Sequence, residues 1–370
     1  MIAKPCLLTQ VLVKPERCLE LSLREWDLVI RQARRALLLS RLASSVNESI
    51  HGLIPDLVVP HLLASKCLAD KQLHIIKYEV DRIQEAFQSL DAPVVVLKGG
   101  AYVVSGLPPV HGRLFSDIDI LVHKKSLDRV EEVMSSHGWM VTHVDAYDEH
   151  YYREWMHELP PMKHVRRGVV VDIHHTILPE TACFHPDPKK LMADIQLVSG
   201  YENVYTLSDI DMVLHSATHL FFEGELEHGL RDLVDLDALL RHFSKDEGFW
   251  DQLVERAAEM DLMRPLYYAL RYTQQMLQTP VPDVAMKASE AIGKPPAALA
   301  WLMDALFRRA LMPDHPSCDD AFTPLARWVL YIRSHYLRMP FHLLIPHLVR
   351  KAIKKRFSPT QADVSKLEEN

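Results

Sequence analysis

The chain has 370 residues, 48% of them hydrophobic and 25% charged, with a formal net charge of -7. That length suits two or three globular domains, and the acidic balance excludes a global basic field of the kind that gathers nucleic acid. The five cysteines are widely spaced with no C-x-x-C, which excludes a disulfide frame or a zinc ribbon and leads us to expect reduced thiols in a cytoplasmic protein. No signal-peptide core is expected, and no apolar run reaches the roughly 20 residues of a bilayer span.

Taken in order, residues 1–90 are expected to be helical. Glu20 to Leu42 carries a wide apolar stripe (Leu21, Trp26, Val29, Ala33, Leu37) with Arg31, Arg34 and Arg35 opposite. From His61 to Leu90, the residues Leu73, Ile76, Val80, Ile83, Phe87 and Leu90 step by three and four, which predicts one long helix ending at Asp91-Ala92-Pro93. Both stripes are accounted for by core packing. Val94 to Leu97 is a predicted strand, followed by Lys98, Gly99 and Gly100 and a short helix from Ala101. The glycines would let backbone amides approach a phosphate.

Phe115 to Val122 (F-S-D-I-D-I-L-V) alternates polar and apolar residues and then runs apolar, as a strand entering a core does. On a strand Asp117 and Asp119 share one face and Ile118 and Ile120 the other. Paired carboxylates repel, and a divalent cation removes the conflict. Mg²⁺, with Mn²⁺ as the alternative, suits such hard oxygen ligands. The plain alternative is an edge strand with a solvated acidic face. Lys98 and Arg113 are the nearest cations in sequence. Either they hold triphosphate oxygens or they pair with the carboxylates.

Lys124 to His137 is a predicted helix with Gly138 at its C′ position, and Trp139 to Val144 a strand. Asp148 to Lys163 is rich in Tyr, His and Glu. Val169 to Ile177 (V-V-V-D-I-H-H-T-I) is another β-branched run. It places Asp172 and His174 on one strand face, and a lone Asp inside a buried strand calls for a partner.

Leu207 to Asp211 opens a helix with Ser208 as N-cap and Asp211 at N3, a structural account of the second D-I-D. On that helix His215 and His219 share a face, suited to contacting nucleotide or acceptor more than to binding metal. Gly229 to Asp237 is a further helix, whose Arg231, Asp232 and Asp235 either orient those histidines or form surface pairs. Residues 246–345 remain helical, with breaks expected at Pro265, Pro280/Pro282, Pro295-Pro296 and Pro313. Trp328 to Phe357 mixes large apolar residues with Arg333, Arg338, Arg350, Lys351, Lys354, Lys355 and Arg356. This basic amphipathic segment is suited to an anionic membrane surface or a polyanion, or is a last helix packed on the body.

The succession L-K-G-G, then Arg113 four residues before Asp117, then D-I-D-I-L-V and V-D-I-H-H resembles the uncharacterised nucleotidyltransferase family of the DNA polymerase beta-like superfamily, over roughly residues 60–245. Two features depart from the superfamily pattern. Ala101 follows Gly100 where a serine is usual, and the gap from Gly100 to Asp117 is long. The resemblance implies an α+β fold, helix-rich overall, with a small mixed sheet. It implies segments at 1–90 (helical), 91–180 (nucleotidyltransferase core), 181–260 (helical, substrate-binding) and 261–370 (helical, basic tail). It also implies transfer of a nucleotidyl group from a nucleoside triphosphate, taken as ATP, to an acceptor hydroxyl. The site expected is Asp117, Asp119 and Asp172 as catalytic metal ligands. Lys98, Gly99, Gly100, Arg113, His157, His215 and His219 are expected at the nucleotide or acceptor, with His157-Glu158-Leu159-Pro160-Pro161 as a loop over the site. The rival expectations are a nucleotide-binding regulator without turnover and a toxin-like enzyme acting on tRNA or protein.

Overall fold

A computed structural model of the chain describes residues 6–46, 52–90, 92–141, 157–222 and 226–338. Its strands are β1 (Val94–Val96), β2 (Asp117–Leu121), β3 (Trp139–Val141), β4 (Met162–His164), β5 (Val170–His174), β6 (Gln196–Leu197) and β7 (Val204–Thr206). They form one sheet in the order β3-β4-β5-β2-β1-β7-β6. β2 lies in the middle, antiparallel to β1 and parallel to β5. β1 and β7 are the second parallel pair, and the remaining pairs are antiparallel. The sheet therefore takes two strands from beyond residue 180, where the sequence pattern suggested helices alone. β7 pairs with the edge of β1, whose backbone groups would otherwise lack partners.

The helices are α1 (Leu7–Val13), α2 (Leu23–Arg35), α3 (Leu39–Ser45), α4 (Val59–Phe87), α5 (Lys98–Val104), α6 (Leu127–Ser136) and α7 (Pro188–Ala193). They continue with α8 (Asp209–Phe222), α9 (Gly229–Phe243), α10 (Phe249–Glu259), α11 (Met263–Leu277), α12 (Asp283–Gly293), α13 (Ala297–Ala310) and α14 (Thr323–Arg338). The fold is α+β and helix-rich around a mixed sheet.

The alternation of strand side chains divides the interior into two cores. Val94, Val96, Ile118, Ile120, Val171 and Ile173 face one side and pack with the stripes of α4 (Ile76, Val80, Ile83, Phe87) and α6 (Val130, Val133, Met134). Val95 and Leu121 face the other side, into a larger core shared by N-terminal residues such as Leu8 and Trp26 and C-terminal ones such as Tyr268 and Phe307. Asp117 and Asp119 have the parity of Leu121, so they lie on the sheet face toward this second, helical layer.

Several local expectations change. The apolar stripe from 20 to 42 is two helices, not one. Ser22 starts α2 with a capping box to Glu25, and Leu37 adopts φ 55° between α2 and α3. Pro265 lies within the first turn of α11, where its missing N–H costs nothing, and the break falls at Asp261, with φ 57°. Gly99 and Gly100 sit in the first turn of α5 rather than in a loop before it. The proposed strand end at 142–144 and the segment 148–156 lie outside the described residues.

Gly112, at φ 74°, is pressed against α3. A Cβ there would fall 2.3 Å from the carbonyl oxygen of Ser40. Gly106, at φ 64°, has nothing within 4 Å of such a Cβ. Gly106→Ala should therefore cost only the backbone conformation, about 1 kcal/mol, and Gly112→Ala distinctly more, about 2–4 kcal/mol. Denaturant unfolding of the two variants checks this, and equal midpoints would remove the claimed steric contact.

Candidate active site

In the parallel ladder between β2 and β5, Asp119 stands directly beside Asp172, and Asp117 beside Val170. Residues paired in this way project to the same face from strands about 4.8 Å apart. The three acids expected from sequence are thus brought together, and the cost of crowding them is set by their surroundings.

Asp119 is buried, and its Oδ1 accepts from Lys98 Nζ at 3.0 Å and from His174 Nε2 at 2.9 Å. Burial works against its charge. The Lys98 ammonium and the hydrogen bond from His174 outweigh burial and hold the carboxyl far below the usual carboxylate range. Asp172 has no such support. Burial, and then the charges of Asp119, Glu158 and Asp117, push it up to about 7. Among the described residues no donor meets its buried Oδ1. Asp117, half-buried at the start of β2, accepts from the Ser116 hydroxyl at 2.9 Å. One acid is thus fixed as an anion and its neighbour is poised near neutrality, the separation of roles expected where two carboxylates share a site.

The donors fit a hard divalent cation. They are carboxylate oxygens on one face, one of them buried without a hydrogen-bond partner among the described residues, which is an arrangement a cation would relieve.

His174 extends this network. Its Nδ1 lies 3.4 Å from Glu158 Oε2 while its Nε2 bonds Asp119. Burial opposes its protonation, yet the bond to Asp119 and the charge of Glu158 raise its pKa. His157, Glu158 and His174 also offer three ligand atoms within 4.8 Å of one another. With carboxylates facing both ring nitrogens, His174 is better described as an imidazolium bridge than as a metal ligand. His157 is buried and stacks on His174, with ring centroids 5.1 Å apart. His157 and Glu158 of the expected loop thus stand beside His174.

Asp117 and Asp119 line a cleft together with Lys98, Gly99, Tyr102, Arg113, Ser116, Ser216, His219, Arg231, Asp232 and Asp235, and Asp172 stands beside Asp119 just outside that lining. Lys98 enters the cleft from a backbone at φ 46°, a strained conformation for lysine and one that turns the chain from β1 into α5. Both cations expected at the phosphates meet carboxylates instead. Lys98 bonds Asp119. Arg113 Nε donates to Asp235 Oδ2 at 2.7 Å, while Arg41 Nη2 donates to the other oxygen at 3.1 Å. The glycines are explained by packing. A Cβ on Gly99 would fall 2.4 Å from Arg113 Nη1, and one on Gly100 2.6 Å from Val96 Cγ1.

The two histidines of α8 separate in role. His219 lines the cleft. His215 is buried, and burial together with the charges of Lys98, His219 and His174 keeps its imidazole neutral, its pKa well below the usual value. Sequence reasoning missed the anchoring of Arg113 by Asp235 and the bridge made by His174. The first joins residues 122 positions apart and leaves no local pattern. The second had a signal, the D-x-H spacing that puts His174 on the face of Asp172.

No curated protein and no solved structure gives a significant match to the chain. Over residues 22–278, more than half of its length, the sequence matches the family described as uncharacterised nucleotidyltransferase, and the chain belongs to that family.

Proposed function

We propose that the chain is a metal-dependent nucleotidyltransferase that moves a nucleoside monophosphate from a nucleoside triphosphate, ATP in the first instance, to an acceptor hydroxyl. The observation that carries this reading is the side-by-side placement of Asp119 and Asp172, with Asp172 half-buried, its Oδ1 buried without a hydrogen-bond partner among the described residues and its pKa pushed up to about 7. Asp117, Asp119 and Asp172 would hold Mg²⁺, which when bound supplies charge neutralisation at phosphate and lowers the pKa of a coordinated hydroxyl.

The residues of the chain then divide the work. Asp172 accepts the acceptor's proton as the hydroxyl oxygen bonds to the α-phosphorus. The bond from that phosphorus to the oxygen bridging the β-phosphorus breaks, and pyrophosphate takes the electron pair. Lys98 places a positive charge at the same carboxylate the triphosphate approaches. Arg113, held through Nε, keeps Nη1 beside Gly99 on the cleft wall. Ser216, His219, Arg231 and Asp232 also line the cleft and offer polar groups to an acceptor.

A nucleotide-binding regulator is the rival. Asp119 Oδ1 is already engaged by Lys98 and His174, and a cation must share it. Wild type that binds Mg·ATP yet transfers no label from α-labelled triphosphate to any fraction of a cell extract would select the rival.

For the enzyme, Asp119→Ala and Asp172→Asn should each lower label transfer by about 10³-fold or more, the several kcal/mol that a catalytic metal site supplies. Binding of Mg·ATP, followed by titration calorimetry, should vanish in Asp119→Ala.

Metal affinity should rise with pH. Asp172 is protonated below about 7 and cannot ligate, so Mg²⁺ binding strengthens from pH 6 to 8 with release of up to one proton. Calorimetry in buffers of different ionisation enthalpy counts that proton, and Asp172→Asn should abolish the release.

Without metal, the sign for stability is the reverse. A carboxyl with a raised folded pKa weakens the native state as pH climbs from about 4 to 7, because the folded form retains the proton that the unfolded form has lost. Asp172→Asn should therefore melt at the same temperature as wild type at pH 4 and be more stable by about 1–3 kcal/mol at pH 8 in a chelator. A constant difference across that range would contradict the placement of Asp172.

A further inference from the structure

Two thiols from opposite ends of the chain meet in the interior. Cys6 stands at the N-cap of α1 and is buried, only 6% exposed. Cys318 lies half-buried in the turn between α13 and α14 and packs against the core that contains Cys6. The Cys318 S–H donates to the Cys6 sulfur. The backbones on either side are joined as well. Gln32 of α2 accepts from the Leu8 N–H at 3.0 Å and donates to the Ser317 hydroxyl at 2.8 Å. The turn is also held by both helices that flank it. Arg327 of α14 donates to Asp314 at 2.7 Å and to Asp319 at 2.9 Å, and Arg309 of α13 donates to Asp320 at 2.9 Å. The two sulfurs are therefore presented to each other by fixed backbone.

Their surroundings give the two thiols different chemistry. The bond from Cys318, against burial and with help from the Thr9 backbone N–H, lowers Cys6 to about 7. The same bond, burial and the neighbouring thiolate charge raise Cys318 above the ordinary thiol range, so Cys318 keeps the proton. One sulfur is an available nucleophile and the other waits beside it as a thiol, the division expected of an attacking cysteine and its resolving partner. Cys18 is buried too, but burial and the charge of Glu16 push it up to about 11, as in an inert core thiol.

We propose that Cys6 and Cys318 are a site of reversible oxidation by hydroperoxides, which joins them in a disulfide and fastens α1 to the turn before α14. The Cys6 thiolate attacks one peroxide oxygen, the O–O bond breaks, and the other oxygen takes the electron pair and a proton and leaves, as water in the case of hydrogen peroxide. Cys6 is then a sulfenic acid. The Cys318 sulfur attacks the Cys6 sulfur, the S–S bond forms, the S–O bond breaks, and the departing hydroxide takes the Cys318 proton and leaves as a second water. The two thiols together lose two electrons and two protons, and the peroxide gains them. A dithiol reverses the change by exchange. The disulfide ties together nearly the whole length of the chain, which restricts the unfolded state most.

The test is non-reducing peptide mapping of the full chain by mass spectrometry during treatment with hydrogen peroxide. The expected result is a peptide linked through Cys6 and Cys318 that forms before half of the exposed Cys67 is oxidised and disappears with dithiothreitol. The linked chain should unfold at a higher urea concentration than the reduced one, and dithiothreitol should restore the original midpoint. Cys318→Ser should leave a sulfenic acid on Cys6 that dimedone captures, and Cys6→Ser should leave Cys318 unlinked. The decisive readout is taken on the wild-type chain, so a variant that fails to fold does not blunt the test. Absence of the linked peptide once half of Cys67 is oxidised, linkage of Cys6 to Cys67 or Cys183 to an equal extent, or an unchanged urea midpoint would overturn the proposal.

Discussion

Everything at the candidate site depends on three carboxylates being held on one face of a sheet. The register sets this: Asp119 is opposite Asp172, and a slip of one residue would turn Asp172 into the dry core in place of Val171 and Ile173. Such a slip is resisted from the other face, where Ile118, Ile120, Val171 and Ile173 are all fully buried against α4 and α6. Hydrophobic burial on one side of the sheet therefore supports the unfavourable clustering of charge on the other. Lys98 and His174 reduce that cost at Asp119 and leave it standing at Asp172, so the strain is concentrated on one group.

The wall of the cleft is built by a second set of buried charges. Asp235 on α9 receives Arg113 from the loop before β2 and Arg41 from α3. Two cations share this one carboxylate, and the Asp232 carboxylate, paired with Arg231, offsets the charge of Arg113. Arg41 also donates to the carbonyls of Pro108 and Pro109, so the N-terminal helices and the loop that carries Arg113 are tied to the same point. Removing a single partner from such a buried set would strand the others, and local damage here is expected to reach the site from far along the chain.

Much of this was legible from the residues. The long helix α4, the β1 and β2 strands, the same-face placement of Asp117 and Asp119, and the Asp172 strand follow from period and composition, because burial on one side imposes a visible rhythm. Gly138, at φ 93°, ends α6 as its position suggested. The strands β6 and β7 were not legible. They are two and three residues long, too short to show a period; β7 pairs with β1, some hundred residues away, and β6 is added on β7. The carboxylate partners of Lys98 and Arg113 were equally hidden. Sequence places a cation near a site but does not say whether it faces ligand or protein.

The D-I-D tripeptide occurs twice, and its two fates show how period decides function. In β2 the two acids are two apart on a strand, so both project to one face and confront Asp172. In α8 the same spacing turns Asp209 and Asp211 about 200° away from each other around the helix. Asp211 is buried and receives Arg256 of α10 through both oxygens at 2.9 Å, while its backbone N–H is capped by Ser208 at 3.2 Å. Asp209 stays half-exposed, its pKa raised by partial burial and by Asp246. The second motif anchors the helix that presents Ser216 and His219 to the cleft, and the first opens the cleft's floor. Identical letters thus serve as scaffold in one place and as candidate chemistry in the other, and the difference lies wholly in backbone geometry.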